Sequence, residues 1–513
     1  MPVLHDFSSA NQSSAARNTM LCQAPWDLAS SGDLKRKRSW REAGRAVCFK
    51  DEAASSAVNT SFSCTTFNIL APIYKRVNGE ECRESQSREV WLDRNRRILD
   101  MLLKGKSSAI CLQEFWTGNE ELVELYEKTL GAAGYDMRKL ARPNGRGDGL
   151  FTAVKRDVLR VMDYQELQFH DCGDRVAQFL RLQSNIPMYR DCLHVAGQQE
   201  VLLVNTHLIF PHNSNFCLVR LRQVYKILKY LEQYKDDHNL SHAPVLLCGD
   251  WNGSKRGQVY KFLRLQGFVS SYDVAHQYSD CEADAHRWVS HRNHRGNICG
   301  VDFIWLLNPS KSTRSLRENW KSAVFGIIKS KLLREHGKQG RDAFCFFQQN
   351  ECDECLTYED FHATLRRLEL TKEDLEGLSR DEIEELIKSA DFDGNGVIDY
   401  DEFQESLAFD NAFDCNNGSS LGSWSKRIFQ TEIRKSSWEF AQPEEPDHHP
   451  CLVESSPELD VRHASFHPPE VEQGTWPDNY SLSDHAPLTA MFAPVYAQSR
   501  LLQQLPANFG FYD

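Results

Sequence analysis

The twelve-residue run DFDGNGVIDYDE at 391–402 constrains the fold more than any other stretch of this 513-residue chain. Side-chain oxygens stand at positions 1, 3, 5, 9 and 12 of the run, and a glycine stands at position 6. Ca²⁺ requires six to eight hard oxygen ligands, and a glycine at that place permits the sharp turn that gathers them. The spacing predicts a calcium loop with these ligands: Asp391, Asp393, Asn395, the carbonyl of Val397, Asp399 and Glu402.

Helical patterns on both sides of this loop extend the prediction to a helix–loop–helix unit. Ser379 followed by Glu382 forms a capping box, which indicates that the incoming helix begins there. The unit resembles an EF-hand, and EF-hands usually occur in pairs. A degenerate second hand aligns at 349–360, with Gln349 at its first position, Asp360 at its last and no glycine at its sixth. We expect this hand to pair with the first one without binding Ca²⁺ tightly.

The net charge of −12 is concentrated in one segment of the chain. Residues 351–410 hold 20 acidic and 5 basic side chains, whereas residues 61–310 hold 29 acidic and 32 basic ones. The larger segment is therefore slightly basic. This balance permits a phosphate-rich substrate such as RNA but does not establish one.

From about residue 60 the chain alternates short apolar runs with longer amphipathic stretches, a pattern that predicts a layered α/β domain. The apolar runs predict strands at 63–70, 109–112, 149–154, 201–206, 245–248 and 301–307. The amphipathic stretches predict helices at 88–103, 119–130 and 215–234.

Polar side chains stand directly after three of these strands: Glu114, His207 and Asp250. Strand ends place side chains at one rim of a sheet, which is where layered α/β proteins locate their sites. Taken singly, His207 fits a hydrogen-bonded core histidine and Asp250 fits a turn. Asp302 lies inside an apolar run, and a buried carboxylate there needs a partner such as His485.

Six short motifs occur in a fixed order along the chain: FNIL (67–70), CLQE (111–114), NTHL (205–208), GDWN (249–252), VDFIW (301–305) and SDHAP (483–487). In this order they resemble the endonuclease/exonuclease/phosphatase superfamily, and within it the deadenylase and nocturnin-like branch. The resemblance covers about residues 60–310 and 478–495. It implies an α/β fold, a four-layer α-β-β-α sandwich of two mixed sheets, with an inserted helical EF-hand module. Poorly characterised plant calcium-binding proteins share this architecture.

The resemblance also implies roles for individual residues. The implied metal set offers hard oxygen ligands that suit Mg²⁺ or Mn²⁺: Asn68, Glu114 and Asp484. In the implied catalytic set, Asp250 and Asn252 position the attacking water, and Asp250 is the candidate base. His207 stabilises the phosphate or assists the leaving group. His485, oriented by Asp302, contacts the phosphate or transfers a proton.

The stretch 286–297 is rich in arginine and histidine and precedes the strand that carries Asp302. Arginine forks suit phosphate oxygens, so Arg287, Arg292 and Arg295 are candidate substrate contacts. A tryptophan can stack on a base, and Trp288 is the candidate for this role. A solvated loop without a substrate role is an equally good interpretation.

We expect the following domain organisation: a disordered leader at 1–58, the first part of the superfamily domain at 59–310, the EF-hand module at 340–410, a linker at 411–475, the last part of the domain at 476–495 and a tail at 496–513. The leader is rich in Ser, Ala and Asn and shows no sustained periodicity, which is typical of disorder. About 170 residues would thus interrupt the α/β domain.

These observations favour a Mg²⁺-dependent phosphodiester hydrolase, in particular an RNA 3′-5′ exonuclease of the poly(A)-specific type that responds to Ca²⁺. One alternative is a phosphoesterase for nucleotides, inositol phosphates or sphingomyelin. Another is a calcium sensor that uses a nuclease-like scaffold without catalysis. No apolar run of about 18 residues, no secretory signal and 16 cysteines indicate a cytoplasmic or nuclear protein, while the oligomeric state stays open.

Overall fold

The computed structural model describes residues 61–77, 82–170, 172–186, 188–190, 193–197, 199–211, 216–279, 288–309, 315–348, 354–371, 377–407 and 457–496. The leader expected at 1–58, nearly all of the tail expected at 496–513 and most of the linker expected at 411–475 lie outside these residues.

The described residues form strands and helices in alternation. The strands are β1 Phe62–Asn68, β2 Ala109–Phe115, β3 Tyr135–Ala141, β4 Gly149–Lys155, β5 Leu159–Gln168, β6 Val176–Ser184, β7 Met188–Arg190, β8 Leu193–Gly197, β9 Glu200–His207, β10 Val245–Asp250, β11 Val269–Ser270, β12 His291–Arg292, β13 Ile298–Cys299, β14 Asp302–Leu307, β15 Pro457–Phe466 and β16 Leu488–Tyr496. The α-helices are α1 Arg88–Gly105, α2 Glu120–Ala132, α3 Phe216–Asp237, α4 Gln258–Leu265, α5 Ser271–His276, α6 Leu316–His336, α7 Gly340–Phe347, α8 Tyr358–Arg367, α9 Arg380–Ala390 and α10 Tyr400–Leu407.

Two six-stranded mixed sheets lie at the centre, in the orders β15-β16-β1-β2-β4-β3 and β11-β14-β10-β9-β6-β5. The pairs β1–β2 and β9–β10 are parallel, and the other pairs in these sheets are antiparallel. Every residue of β10 is buried. Continuous burial of this kind arises because each sheet is covered on one face by helices and on the other by the second sheet.

Helices cover the outer face of each sheet. On the first sheet, Ile98 of α1 and Leu122 of α2 join Phe151 of β4 in one apolar cluster. On the second sheet, the ring of Phe179 in β6 lies 4.5 Å from that of Tyr230 in α3. The layers therefore follow the order α-β-β-α, and the predicted fold class is confirmed.

The space between the sheets holds thiols and amides as well as aliphatic side chains. Cys64 Sγ and Cys248 Sγ lie 3.4 Å apart across the two sheets. Gln113 Nε2 donates to Asn205 Oδ1 at 2.8 Å, and Asn205 Nδ2 donates to Thr152 Oγ1 at 3.0 Å. All of these residues are fully buried. Because buried amides need partners, this network ties the sheets together in one register.

β15 belongs to the first sheet, although it lies inside the linker expected at 411–475. It pairs antiparallel with β16 along its whole length, so the expectation of a linker is wrong from residue 457 onward. A bulge between Val461 and His463 shifts the register by one residue. The buried side chains Leu459 and Phe466 therefore do not share one alternating pattern, which removes the usual signal of a strand.

The sandwich also continues beyond residue 310. α6 packs against α3 and α4 on the outer face of the second sheet, and it also contacts α10 of the helical module. The buried residues of α6 include Trp320 and Ile328. They lie on most faces of the helix because other elements cover α6 on two sides. Among the described helices, including the 22-residue α3, none is both long and apolar enough to cross a membrane.

Helices α7 to α10 form two helix–loop–helix units that pair through their loops. Leu356 and Ile398 exchange two backbone hydrogen bonds, of 2.8 and 2.9 Å. These residues occupy the eighth position of the stretches 349–360 and 391–402, which is the register that the proposed alignment of the degenerate hand requires. The first five residues of that hand, 349–353, lie outside the described residues.

Candidate active site at the sheet rim

Asp250, the last residue of β10, lies at the centre of a polar rim formed by the second sheet. It is in register with His207 on one neighbouring strand and with Asp302 on the other. Its Oδ2 lies 3.1 Å from Asn68 Nδ2, 3.4 Å from His207 Nε2 and 3.6 Å from His485 Nε2. One carboxylate oxygen therefore faces an amide and two imidazoles, although the four residues come from distant parts of the chain.

The turn around Asp250 has an unusual backbone. Gly249 has φ +151°, and a Cβ at this position would lie 1.9 Å from the carbonyl oxygen of Thr206, so only glycine fits. Asn252 has φ +46°. Its backbone N–H donates to Asp250 Oδ1 at 2.9 Å, and its Nδ2 donates to Leu208 O at 2.9 Å. Positive φ at a non-glycine residue is held by such surrounding contacts and is typical of functional sites.

Glu114 lies in a β-bulge at the end of β2. The register with β4 shifts between Gln113 and Phe115, and Glu114 itself has φ +52°. A bulge re-aims the side chain that it carries, and here it directs the carboxylate to the rim. Oε1 of Glu114 accepts a hydrogen bond from Asn68 Nδ2 at 3.3 Å, and Oε2 accepts one from Ala71 N at 3.2 Å.

The carboxylates on this side of the rim offer the oxygen ligands that a divalent cation requires. Enclosure by the protein raises the pKa of Glu114 to about 7, and the negative charges of Asp484 and Asp148 add to the effect. A divalent cation would relieve this repulsion, and Mg²⁺ prefers carboxylate oxygens and water. Asn68 Oδ1 accepts from Leu70 N at 3.0 Å, so Asn68 as placed orients Glu114 rather than presenting a free oxygen. Glu114 and Asp484 thus offer carboxylate oxygens to a metal, with Asn68 in support. Ligand atoms of Asp484, His291 and His485 lie within 4.8 Å of one another.

His485 is held between two buried carboxylates. Its Nδ1 lies 2.9 Å from Oδ2 of Asp302, which is fully buried. Burial opposes a charge on the imidazole, but Asp302 and Asp250 outweigh it and raise the pKa of His485 to about 10. Ser483 Oγ donates to Asn68 O at 2.7 Å and accepts from His485 N at 3.1 Å. The loop that carries His485 is therefore fastened to the end of β1.

Arg94 of α1 also joins these two segments, a role that no pattern in the sequence indicates. Its guanidinium is buried and pairs with Glu84, with Nε 2.9 Å from both carboxylate oxygens. Nη1 donates to Ile69 O and to Leu482 O, both at 2.7 Å. One buried ion pair thus connects the segment after β1 with the segment before His485.

Arg175 is a further site residue that the sequence did not reveal. Its Nη1 lies 3.0 Å from His207 Nδ1. Because a guanidinium can only donate, Nδ1 accepts, and the proton of the neutral imidazole is on Nε2, facing Asp250. Burial and then the charges of Arg175 and Arg142 lower the pKa of His207 well below its usual value. Arg175 directly precedes β6, a strand that we did not predict.

The β12–β13 hairpin lies against the loop of His485. The rings of His291 and His485 are stacked with centroids 4.3 Å apart. Arg292 N donates to Asp484 O at 2.9 Å, which joins the hairpin to the loop by its backbone. Arg295 lies exposed at the hairpin tip. Of the three candidate substrate arginines, Arg292 is thus joined to the loop of His485, and Arg295 lies on the same hairpin.

The other two candidates in this stretch have different outcomes. Arg287 lies outside the described residues. Trp288 is 6% exposed and stacks on Phe466 with ring centroids 5.0 Å apart. The expectation that Trp288 stacks on a base is wrong, because Phe466 of β15 covers its ring.

The calcium loop brings its acidic side chains together between α9 and α10. Oxygens of Asp391, Asp393 and Glu402 all lie within 4.8 Å of one another. Glu402 Oε2 accepts from Asp399 N at 3.0 Å, and Gly396 has φ +88° at the sharp turn. The other expected ligands lie in the same loop: Asn395, Val397 and Asp399.

A two-sheet sandwich with carboxylates, amides and imidazoles at one rim defines a class of phosphoester hydrolases. Residues 65–324 match the model of the Endonuclease/Exonuclease/phosphatase family, and the chain belongs to this family. Residues 344–407 match an EF-hand domain pair. Both expectations drawn from the motifs are confirmed.

Among individual proteins, the chain is 50% identical over 444 residues to an uncharacterized calcium-binding protein of Arabidopsis thaliana, with 86% of each chain covered. It is 21% identical over 333 residues to the CCR4-Not complex 3'-5'-exoribonuclease subunit Ccr4 of Debaryomyces hansenii, covering 56% of this chain and 39% of that one. It is 24% identical over 211 residues to human protein angel homolog 2, covering 40% and 37%. The human nocturnin catalytic domain is similar in structure, with TM-score 0.37, 18% identity and coverage of 48% of this chain and 83% of that chain.

Proposed function

We propose that this protein is a Mg²⁺-dependent phosphodiester hydrolase and that it acts as an RNA 3′-5′ exonuclease of the poly(A)-specific type. The main support is the convergence of Asn68, His207 and His485 on Oδ2 of Asp250, with Glu114 beside them. A relative named as a 3'-5'-exoribonuclease supports the choice of RNA. We further propose a cytoplasmic or nuclear location, where such RNA is found.

In this proposal Glu114 and Asp484 hold the metal, and Mg²⁺ bound there supplies charge neutralisation at the phosphoryl group. Asp250 accepts the proton of the attacking water, because its Oδ2 faces the rim and its Oδ1 is held by the backbone of Asn252. Asn252 fixes this geometry through its own strained backbone.

The two histidines have different charges and so different tasks. Asp302 and Asp250 keep His485 protonated at neutral pH, which suits it to bind the phosphate anion and the charge that develops there. His207 is neutral and carries its proton on Nε2, so it donates a hydrogen bond without adding charge. The buried Arg175 sets this tautomer.

Positively charged side chains around the rim support a polyanionic substrate. Burial lowers the pKa of Arg175 only to about 10, so it stays charged at neutral pH. Arg292 lies on the hairpin that is joined to the loop of His485, Arg295 lies exposed on the same hairpin, and we include Arg287 in the same role. Arginines on a surface that binds single-stranded nucleic acid contact the sugar–phosphate backbone without reading the base sequence.

The test is hydrolysis of 5′-labelled poly(A) by the purified protein in Mg²⁺. We expect stepwise shortening from the 3′ end that is lost in Glu114→Ala and retained in Glu124→Ala, which removes an exposed carboxylate from α2. Poly(U) of the same length measures the preference for adenine.

Absence of shortening by a folded protein would overturn the RNA assignment. A panel of nucleotides, inositol phosphates and sphingomyelin then distinguishes the remaining possibilities. Hydrolysis of one of these identifies a different phosphoesterase, and hydrolysis of none identifies a calcium sensor on a nuclease-like scaffold.

A further inference from the structure

We propose that the calcium-binding module acts on the catalytic site through helix α3. In this helix Gln223 contacts the segments that carry His207 and Arg175, and the adjacent Arg222 contacts the module. The proposal deepens the function proposed above by naming the route of its regulation, and it rests on that function only for its activity readout.

The contact with the site is made by Gln223, which is fully buried in α3. Its Oε1 accepts from Ile209 N at 3.0 Å, two residues after His207. Its Nε2 donates to Cys172 O at 2.6 Å, three residues before Arg175. A single amide therefore holds the two segments that carry the paired side chains His207 and Arg175. A small displacement of α3 moves both segments together.

The contact with the module is made by Arg222, the next residue of α3. It pairs with Glu382 of α9, and the two side chains are 14% and 20% exposed. Glu382 also closes the capping box of α9, with Oε2 2.8 Å from Ser379 N. The start of the helix that leads into the calcium loop is thus fixed to the helix that supports the catalytic segments.

A second contact runs in parallel through α6. Arg317 Nε lies 2.7 Å from Oε2 of Glu385, which is one turn further along α9. The guanidinium of Arg317 also covers the ring of Trp320, 4.7 Å from its centroid. α6 packs against both α3 and α10, so both helices flanking the calcium loop touch the catalytic domain.

For these contacts to transmit an effect, binding of Ca²⁺ must change the relative positions of α9 and α10. Asp391 ends α9 and Glu402 lies in the first turn of α10, so an ion held by both fixes the two helix ends relative to each other, and loss of the ion releases them. Ligand binding in sensor EF-hands changes the angle between the flanking helices. Because α9 is fastened at its start to α3 and α10 is packed on α6, a change in this angle pushes on α3.

The first readout is amide hydrogen exchange of the segment 203–211, which does not depend on catalysis. We expect saturating Ca²⁺ to change the exchange of the Leu208 and Ile209 amides by about fivefold or more, the lower end of typical coupling between sites. Glu382→Gln keeps the capping box but removes the charge that pairs with Arg222. In Glu382→Gln the effect of Ca²⁺ should be reduced, since only the parallel contact through Arg317 and Glu385 remains, while calcium affinity, measured by calorimetry, is retained. Arg222→Gln should behave in the same way.

The matched control is Glu384→Gln. Glu384 lies on α9 two residues after Glu382, but its partner is Arg380 of the same helix, 80% exposed. This variant should keep the full effect of Ca²⁺ on exchange. The second readout is the ratio of poly(A) hydrolysis with and without Ca²⁺, which should differ from one in the wild type and return toward one in Glu382→Gln.

Unchanged exchange in the wild type with Ca²⁺ bound, or an effect that persists undiminished in both Glu382→Gln and Arg222→Gln, overturns the proposed route. Absence of hydrolysis together with a Ca²⁺-dependent change in exchange refutes the proposed function and leaves the route standing. The two failures are therefore distinguishable.

Discussion

The contact between Asp302 and His485 makes a quantitative prediction for the substitution Asp302→Asn. The carboxylate is fully buried and its Oδ2 lies 2.9 Å from His485 Nδ1. At an effective dielectric constant of about 20, two unit charges at this distance attract by about 6 kcal/mol. Desolvation offsets part of this attraction, and breaking a buried pair costs about 3–5 kcal/mol overall. We therefore expect a loss of about 3 kcal/mol in stability, since the amide can still accept a hydrogen bond.

The effect on catalysis should be larger than the effect on stability. Loss of a carboxylate that orients a catalytic imidazole lowers kcat by about 10⁴-fold in the serine proteases. Urea unfolding followed by tryptophan fluorescence measures the first quantity, and single-turnover hydrolysis of labelled RNA measures the second. Both are performed well below the denaturation midpoint of the variant, so that the folded population is the same.

Asp273→Asn provides the matched control. Asp273 is also a buried carboxylate, but it pairs with Lys255 at 3.1 Å and does not touch His485. It should lose stability and keep its kcat. If Asp302→Asn retains kcat within about threefold, or if Asp273→Asn loses as much activity, Asp302 acts only as part of the core and the proposed orientation of His485 is refuted.

Three other substitutions test separate parts of the structure. Glu402→Gln should weaken Ca²⁺ binding at least tenfold, about 1.4 kcal/mol, and calorimetry on the wild type should give one tight site per chain, because the paired hand lacks the loop glycine. Arg94→Met leaves a buried carboxylate unpaired and should cost about 3–5 kcal/mol in urea unfolding, whereas Arg97→Met breaks an exposed pair and should cost less than about 1 kcal/mol. Gly249→Ala forces a Cβ to 1.9 Å from a carbonyl oxygen and should lower the melting temperature sharply, while Gly105→Ala, with no atom within 4 Å, should leave it unchanged or slightly higher.

The strands that carry the site can be predicted from the sequence because each one is marked by residues that are adjacent in the chain. Glu114, His207 and Asp250 each end a short run of buried apolar residues, and runs of this kind remain recognisable without knowledge of their neighbours. The calcium loop was equally accessible, since all of its ligands lie within twelve residues.

The parts that were missed depend on contacts between distant segments. Arg175 gains its role only because β6 pairs with β9, and Arg94 gains its role only where the ends of two loops meet. β15 resembles a linker in sequence because its bulge breaks the alternation of buried side chains. Trp288 was assigned to the substrate because the strand that covers it had not been recognised. The spacing of apolar residues predicts the structure of a segment only when that segment is regular and buries one continuous face.

The place of β16 in the first sheet has a consequence for the order of events on the ribosome. β16 lies between β15 and β1, and Thr65 contacts Thr489 across 424 residues of chain. At roughly 5–20 residues per second, β1 waits on the order of 20–80 s for this partner to be made. The calcium loop leaves the ribosome before β16, and His485 emerges with the last strand. A nascent chain therefore completes its ion-binding module while its polar rim is still unfinished, because His485 and β16 follow that module along the chain.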